Sequence, residues 1–568
     1  MKNRWFLTLM TLLIIFSLGM TACAPPKVEE PVVADQAADE PVAEDTAAED
    51  TAEEEPAAPK VVTIAWTQEP DTLNRSYSNM WYMSVLTQLY SCWPWQYDDN
   101  NEPYPYMLDE MPSVSDDGLV VTMNLRDDIV WSDGTAITAD DFVFTHTMIN
   151  SEANAVDSIY PYDLFEISAP DAQTVVMTFA EPFVPWQANL WQGVLMPKHV
   201  LEPVFEAEGS IDEADWNRNP SVGCGPFNFT EWESGSYLRF DKNENYWGPI
   251  AKLDTVFIQL VPDDAAQTAA ALAGDVDIAF WPPYEDIPAF RDAGLDIVTQ
   301  ASGYNEGWFI NMRPDTASPG IQDLVVRQAI AMSLDRLSNT EIRLSVVSPG
   351  MTFFDALPAF VSPDIEPWPY DPEAAKQLLE DAGYLDSDGD GIREDLEGNP
   401  LTITQGNTTK EERQNYQAVA QQQLLDVGID LQIYSYDADI LFGSYSDGGP
   451  AAIGDLDIMQ WSDAPYFPDP DTEYWLCSEL ATDEYPWGYN YYICDETLDA
   501  LFQEQVVTVD ADARMEIFHE ITKYMHDNIY YLGIWDDPDV WILSPDISGY
   551  KFSGITPFFN IAEWDIVP

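Results

Sequence analysis

Cationic side chains are scarce in this chain. Its 568 residues hold 23 lysines and arginines against 100 aspartates and glutamates, a formal charge of −77. A surface of that sign repels a phosphate backbone, which excludes nucleic acid as a partner. Most of the acid reads as a solvated, solubilising surface. Histidine is rare too, with four in all, and none falls in an H-E-x-x-H pattern. His519 and His526 would share a helix face, an arrangement that amphipathic helices produce by chance. No G-x-S-x-G or G-x-x-x-x-G-K-[ST] occurs, and Gly223-Cys224-Gly225-Pro226 lacks the third glycine and the following helix of a dinucleotide site. Apart from the N-terminal stretch 5–18, itself too short for a comfortable membrane span, no apolar run approaches the roughly 18 residues that crossing needs. Carboxylate pairs are too abundant here to discriminate, so a secreted hydrolase stands as the reading from another class.

What is present begins with an address. Lys2 and Arg4 precede an apolar stretch from Trp5 to Leu18, and Gly19-Met20-Thr21-Ala22-Cys23 has the form of a bacterial lipobox with Met20 where Leu is commoner. The expectation is a 1–23 lipoprotein signal with lipidation at Cys23, an ordinary cleaved signal being the alternative. From 24 to 59 the chain is almost wholly Ala, Pro, Glu, Asp, Val and Thr without an aromatic residue. Such a segment buries too little apolar surface to order itself. It reads as a disordered acidic tether with an r.m.s. reach of roughly 35 Å, extended further by charge repulsion. Export also permits disulfides among Cys92, Cys224, Cys477 and Cys494.

The body of the chain alternates strand-like runs (VVTIAW, VVMTFA, LDTVFIQL, VDIAFW, LDIMQW) with helical stretches, a mixed α/β pattern without repeats. The stretch 371–383 shows the helical signals: Asp371 as N-cap, Pro372 at the first position, Leu378 and Leu379 apolar, Gly383 as the stop. Another segment is richer. Val121, Met123 and Leu125 alternate with Thr122, Asn124 and Arg126, Asp133-Gly134 supplies a turn, and Thr138 with Asp141 three residues on predicts a capped helix from Ala139 with Phe142, His146 and Ile149 on one side.

That segment, WSDGTAITADDFVFT at 131–145, resembles the signature of the family 5 extracellular solute-binding proteins, the dipeptide, oligopeptide and nickel receptors of ABC importers. VGCGPFNF at 222–229, NENYWG at 243–248 and VVRQAIAMSLDR at 325–336 resemble further family segments in the right order. The resemblance implies a bilobal periplasmic-binding-protein type II-like α/β fold with an inserted domain. Carried over, lobe I comprises 61–90, 223–312 and 529–568, the inserted domain 91–222, and lobe II 313–528. It implies a monomeric receptor that captures a peptide, or in some members an oligosaccharide, and delivers it to permease subunits.

The resemblance also suggests residues. Related dipeptide receptors carry a cysteine pair like Cys477 and Cys494 just before a helix start such as Asp495–Asp499, which leaves Cys92 and Cys224 for each other, or as two buried small hydrophobes. Glu69, Trp281 and Tyr304 fall where relatives touch ligand. Trp461-Ser462-Asp463 is the nearest match, offset by one residue, to the Trp and Asp that receive a peptide's amino group. Where oligopeptide receptors use second-lobe arginines for the peptide carboxylate, the counterparts here are Ser444 and Ile458, and between Pro400 and Asp512 only Lys410 and Arg413 are cationic. A cationic or neutral ligand suits such a cleft better.

One acidic cluster stands apart from the resemblance. DSDGDGIREDLE at 386–397 sets Asp386, Asp388, Asp390, Ile392, Glu394 and Glu397 at positions 1, 3, 5, 7, 9 and 12 of a calcium loop, with Gly391 at 6. A structural Ca2+ is the expectation, a solvated acidic turn the alternative, because Gly-Asn-Pro and the strand-like LTIT follow instead of a second helix. No catalytic cofactor is expected.

Overall fold

The computed structural model describes residues 58–567 apart from 79, 339–346, 466–467, 471 and 486–492. The expected signal, Cys23 and nearly all of the tether lie outside the described residues.

One eleven-stranded sheet organises the molecule. Its first half is built on Val61–Trp66, which pairs in parallel with Thr255–Leu260 and with Ile278–Phe280, and the antiparallel strands Tyr237–Lys242 and Phe227–Glu233 extend it to one edge. The second half comprises Thr402–Thr408, parallel to both Asp430–Tyr436 and Ile458–Asp463. Two long antiparallel strands, Asp296–Ile310 and Tyr531–Leu543, run through both halves. Tyr531–Leu543 is buried on both faces at each end, as is 305–310 of its partner, which fits a central position in a sheet covered on each side. Register between them shifts at Ala301/Asn305 and again at Glu306/Gly307. Such irregularities bend a strand and increase its twist, so the two halves of the sheet meet at a bend.

Four cores follow this layout. Val62, Ile64, Trp66, Leu86 and Trp541 pack under the first half. Trp308, Ile330, Leu379 and Ile403 form a second core, joined by first-half residues such as Ala65. Phe309, Trp475, Phe502 and Phe518 form a third. The fourth belongs to residues 92–224, where Val120–Asn124, Thr174–Phe179 and Phe165–Ser168 make a small antiparallel sheet with Ser113–Val114. Each fully buried large side chain contributes roughly 1.5–3 kcal/mol.

The local signals act as their chemistry dictates. Thr138 and Asp141 form both bonds of a capping box on the helix Ala139–Ile149, whose Phe142 and Ile149 are buried and His146 half-buried. Asp371 accepts from the Ala374 amide, and Gly383 ends the helix Pro372–Ala382 at φ +96°, a left-handed conformation that an L side chain resists. Disulfides join Cys92 to Cys224 and Cys477 to Cys494, with Cα separations of 5.4 and 4.7 Å. Among the described residues no helix is long and apolar enough to cross a membrane.

Candidate functional site

The sheet's bend opens a cavity of 340 Å³ whose walls come from both halves. Sequence explains the opening. Gly303, at φ +85°, occupies the first register shift, where Ser302 donates to the Asp537 carbonyl and Tyr304 donates its amide to the Ser302 hydroxyl. Opposite, Pro538 faces Ala301 with no N–H to give the ladder. The strands part there, and the alternation of an extended chain turns Asp537 and Asp539 towards the space, where both line it.

The first-half wall is aromatic. Trp281 follows Ile278–Phe280 with a left-handed φ of +45°, uncommon for a bulky residue and costly unless its surroundings fix it. Three contacts do so. Its amide donates to the Val540 carbonyl, its ring packs on Trp81 at 4.2 Å, and its indole Nε1 donates to Asp539 Oδ1 at 2.9 Å. Tyr82 adds an edge contact to the Trp281 ring.

The second-half wall carries charge. Arg413, in the first turn of the helix Glu411–Leu425, meets both carboxylate oxygens of Glu306 at 2.8 Å through Nε and Nη2, and Nη1 donates to the Thr408 hydroxyl. Glu306 is 2% exposed and also accepts from Gln460 Nε2. Lys410 lines the same wall with its ammonium 3.4 Å from Glu412 and its side chain 49% exposed. Both cations are thus already matched by acids. Among the described residues neither Asp537 nor Asp539 belongs to a salt bridge, although Lys410 attracts the Asp537 carboxylate at longer range. Desolvation and then the nearby Glu306 push the Asp537 carboxyl up to about 6, against the bond from the Ser462 hydroxyl. Desolvation pushes Asp539 up to about 7, offset in part by the Trp281 indole.

Of the residues singled out in the sequence, Trp281 and Tyr304 line this cavity. Glu69 does not. Its carboxylate accepts from Trp232 Nε1 and the Gly235 amide at the 233–237 hairpin, while the adjacent Gln68 faces the cavity. On Ile458–Asp463 it is Ser462 that lines the space. Trp461 stacks on Phe309 at 4.4 Å, and Asp463 accepts from the Ala464 amide and the Trp461 indole, so neither of these two is among the lining residues. Ser444 closes a turn by donating to Asp447, and Ile458 is core. His519 and His526 each donate to a backbone carbonyl, of Ala359 and Glu366.

The 386–397 loop departs from the twelve-residue scheme. Asp386, Asp388 and Glu394 offer oxygens within 4.8 Å of one another, and Asp390 and Glu397 stand outside that group. The cause is the turn that follows. Glu394 bridges to Pro400, and Asp395 accepts the amides of Glu397 and Asn399, which holds Glu397 at an exposed hairpin tip. Asp390 accepts the Ile392 amide. Buried Arg393 pins the loop by donating to the carbonyls of Val427 and Tyr384 and to Glu380.

Asp537 and Asp539 were missed in the sequence, although a proline and three aspartates inside an apolar strand run, DDPD at 536–539, are a visible anomaly.

Two half-sheets joined by a pair of long strands, with an aromatic and charged cavity at the junction, define a two-lobed solute-binding protein. The chain belongs to the bacterial extracellular solute-binding proteins, family 5, whose middle region matches residues 102–483. It is similar to the oligopeptide-binding protein AppA of Bacillus subtilis, 26% identical over 473 residues that cover 79% of this chain and 81% of the relative. The structure of that protein with a nonapeptide matches at a TM-score of 0.72 and 21% identity, covering 90% of this chain and 100% of the other. The dipeptide-binding protein of Escherichia coli is 23% identical over 78% of this chain and 83% of its own length. NikZ from Campylobacter jejuni, in complex with Ni(L-His), matches at a TM-score of 0.76 and 22% identity over 89% of this chain and 100% of its own.

Proposed function

We propose that this protein is the substrate-binding receptor of a bacterial ABC importer, capturing a peptide between the two halves of its sheet and handing it to the permease. The observation that carries the reading is the cavity at the shared long strands, because a ligand that touches Trp281 on one side and the Lys410 wall on the other is held by both halves at once. Its affinity then favours whichever conformation brings the walls together. Names of relatives that bind oligopeptides and dipeptides support peptide as the solute. The paired Trp81 and Trp281 rings, tilted at 45° to each other, favour an oligosaccharide as the second reading, since aromatic faces suit sugar rings. Mass spectrometry of solute released from purified, denatured protein tests both: peptides support the first, glycans replace it with the second, and neither defeats both.

The receptor sits on the outer face of the membrane in this reading, anchored by a lipidated Cys23 and set off from the bilayer by the 24–59 segment. Cys23→Ala should move it from pelleted membranes to the soluble fraction, and unchanged pelleting sinks the anchor. A calcium ion at Asp386, Asp388 and Glu394 would pin the loop to the body beside Arg393.

A further inference from the structure

Two carboxylates face one cavity, and among the described residues neither belongs to a salt bridge; Lys410 across the cavity attracts Asp537 only at longer range, and none of the described cations stands beside Asp539. Asp539 is 5% exposed, and Asp537, two residues along the same strand, faces the same space. Their bonds come from neutral donors: the Trp281 indole to Asp539, and the Ser462 hydroxyl and Trp535 indole to Asp537. The two cations lining the opposite wall are held by acids of their own, Arg413 by Glu306 and Lys410 beside Glu412. A desolvated carboxylate without a counter-charge costs the fold free energy, and a ligand cation would offset that cost. The walls around Asp539 suit an organic cation rather than a bare metal ion. Trp281, Trp81, Tyr82 and Tyr304 present aromatic surface to the cavity, and aromatic faces attract ammonium and guanidinium groups. Trp281 adopts its left-handed conformation where it both packs against Trp81 and donates to Asp539.

We propose that Asp539 and Asp537, with the ring of Trp281, form a seat for an organic cation that makes this receptor selective for peptides bearing a basic side chain. The proposal rests on the reading of the cavity as the peptide site and adds its charge preference. An ammonium of lysine length would bond to Asp539 across from the indole and lie against the Trp81–Trp281 pair. Norleucine fills the same volume without the charge, so it separates the carboxylates' contribution from apolar contact.

The test is calorimetry of the full mature chain with Ala-Lys-Ala and Ala-norleucine-Ala, repeated on Asp539→Asn and on Trp281→Phe. The expected result is a preference of about tenfold or more for the lysine peptide, near 1.4 kcal/mol, falling to within about twofold in Asp539→Asn. A preference near one in the wild type, or one that survives in Asp539→Asn, overturns the seat. A second arm does not depend on peptides: intrinsic tryptophan fluorescence is titrated with n-butylammonium chloride against n-butanol at matched salt. Saturation by the amine alone, weakened about fivefold or more in Asp539→Asn, supports the seat, and its absence overturns it. Should no peptide bind while the amine does, the peptide reading fails and the cation seat stands.

Discussion

The guanidinium of Arg413 grips both oxygens of Glu306, the salt bridge that either group makes among the described residues, while Glu412 and Asp537 act on Arg413, and Lys410 on Glu306, from farther away. Glu306 is 2% exposed and sits in a chain of polar contacts in which Gln460 donates to it while accepting from Trp308 and Gln417. Glu306→Gln should therefore destabilise by about 3–5 kcal/mol, because it leaves a desolvated cation rather than merely deleting one bond. The paired change Glu306→Leu with Arg413→Met should cost less than the single one. Urea unfolding of the three variants decides it, and a double variant worse than the single refutes the charge argument.

Asp539 supplies the opposite case, a carboxyl raised to about 7 by burial. A raised carboxyl binds its proton more tightly when folded, so its stabilising effect is complete below the unfolded pKa near 4 and is lost as pH rises through about 7. Asp539→Asn cannot ionise, and its amide oxygen still accepts from Trp281. It should be more stable than the wild type at pH 8, by on the order of 2 kcal/mol, with the difference shrinking towards zero below pH 5. Melting curves of both proteins from pH 4.5 to 8.5 check the sign. A gap that widens as pH falls would contradict the desolvation argument.

The two residues also mark where sequence reading ended. Periodicity and capping located the Ala139–Ile149 helix because Thr138, Asp141 and Phe142 act within one turn of chain. Trp281 and Tyr304 were reachable through the family resemblance, which places them where relatives touch ligand, Trp281 directly after the strand-like VDIAF. Asp537 was not, since its meaning depends on the Ser462 hydroxyl, 75 residues away in sequence, and on the parting of two strands. Lys410 and Arg413 were visible as the sole cations of a long stretch. Their place in the cavity wall follows from the register of Thr402–Thr408, which no local pattern sets. Glu397 shows the same limit: the calcium-loop spacing puts it at position 12, whereas the Glu394 to Pro400 bridge sets it in a turn apart from Asp386, Asp388 and Glu394.

The two disulfides should differ in weight. Cys92 and Cys224 close a loop with a sequence separation of 132, Cys477 and Cys494 one of 17. Chain-entropy arguments assign about 5 kcal/mol to the first and about 3 kcal/mol to the second. Replacing Cys92 and Cys224 by alanine should lower the melting temperature more than replacing Cys477 and Cys494, beyond the loss of buried packing around Cys92. Equal losses would mean that the unfolded chain already holds residues 92 and 224 near each other.

Calcium tests the loop at 386–397, where the oxygen cluster and the motif disagree over which glutamate matters. Only the native chain holds Asp386, Asp388 and Glu394 together, so an ion bound there stabilises by mass action. With a dissociation constant of about 0.1 mM, 1 mM calcium would add roughly 1.4 kcal/mol. The geometry assigns most of this to Glu394, whose Oε2 already accepts the Ser387 amide at 2.8 Å, and little to Glu397 at the exposed hairpin tip. Glu394→Gln should therefore remove most of the calcium-dependent rise in melting temperature, and Glu397→Gln should keep it. The reverse ranking would show that the 395–399 turn opens to complete a twelve-residue loop. An equal response in wild type and both variants would assign calcium to the general acidic surface, where a formal charge of −77 attracts divalent ions without any built site.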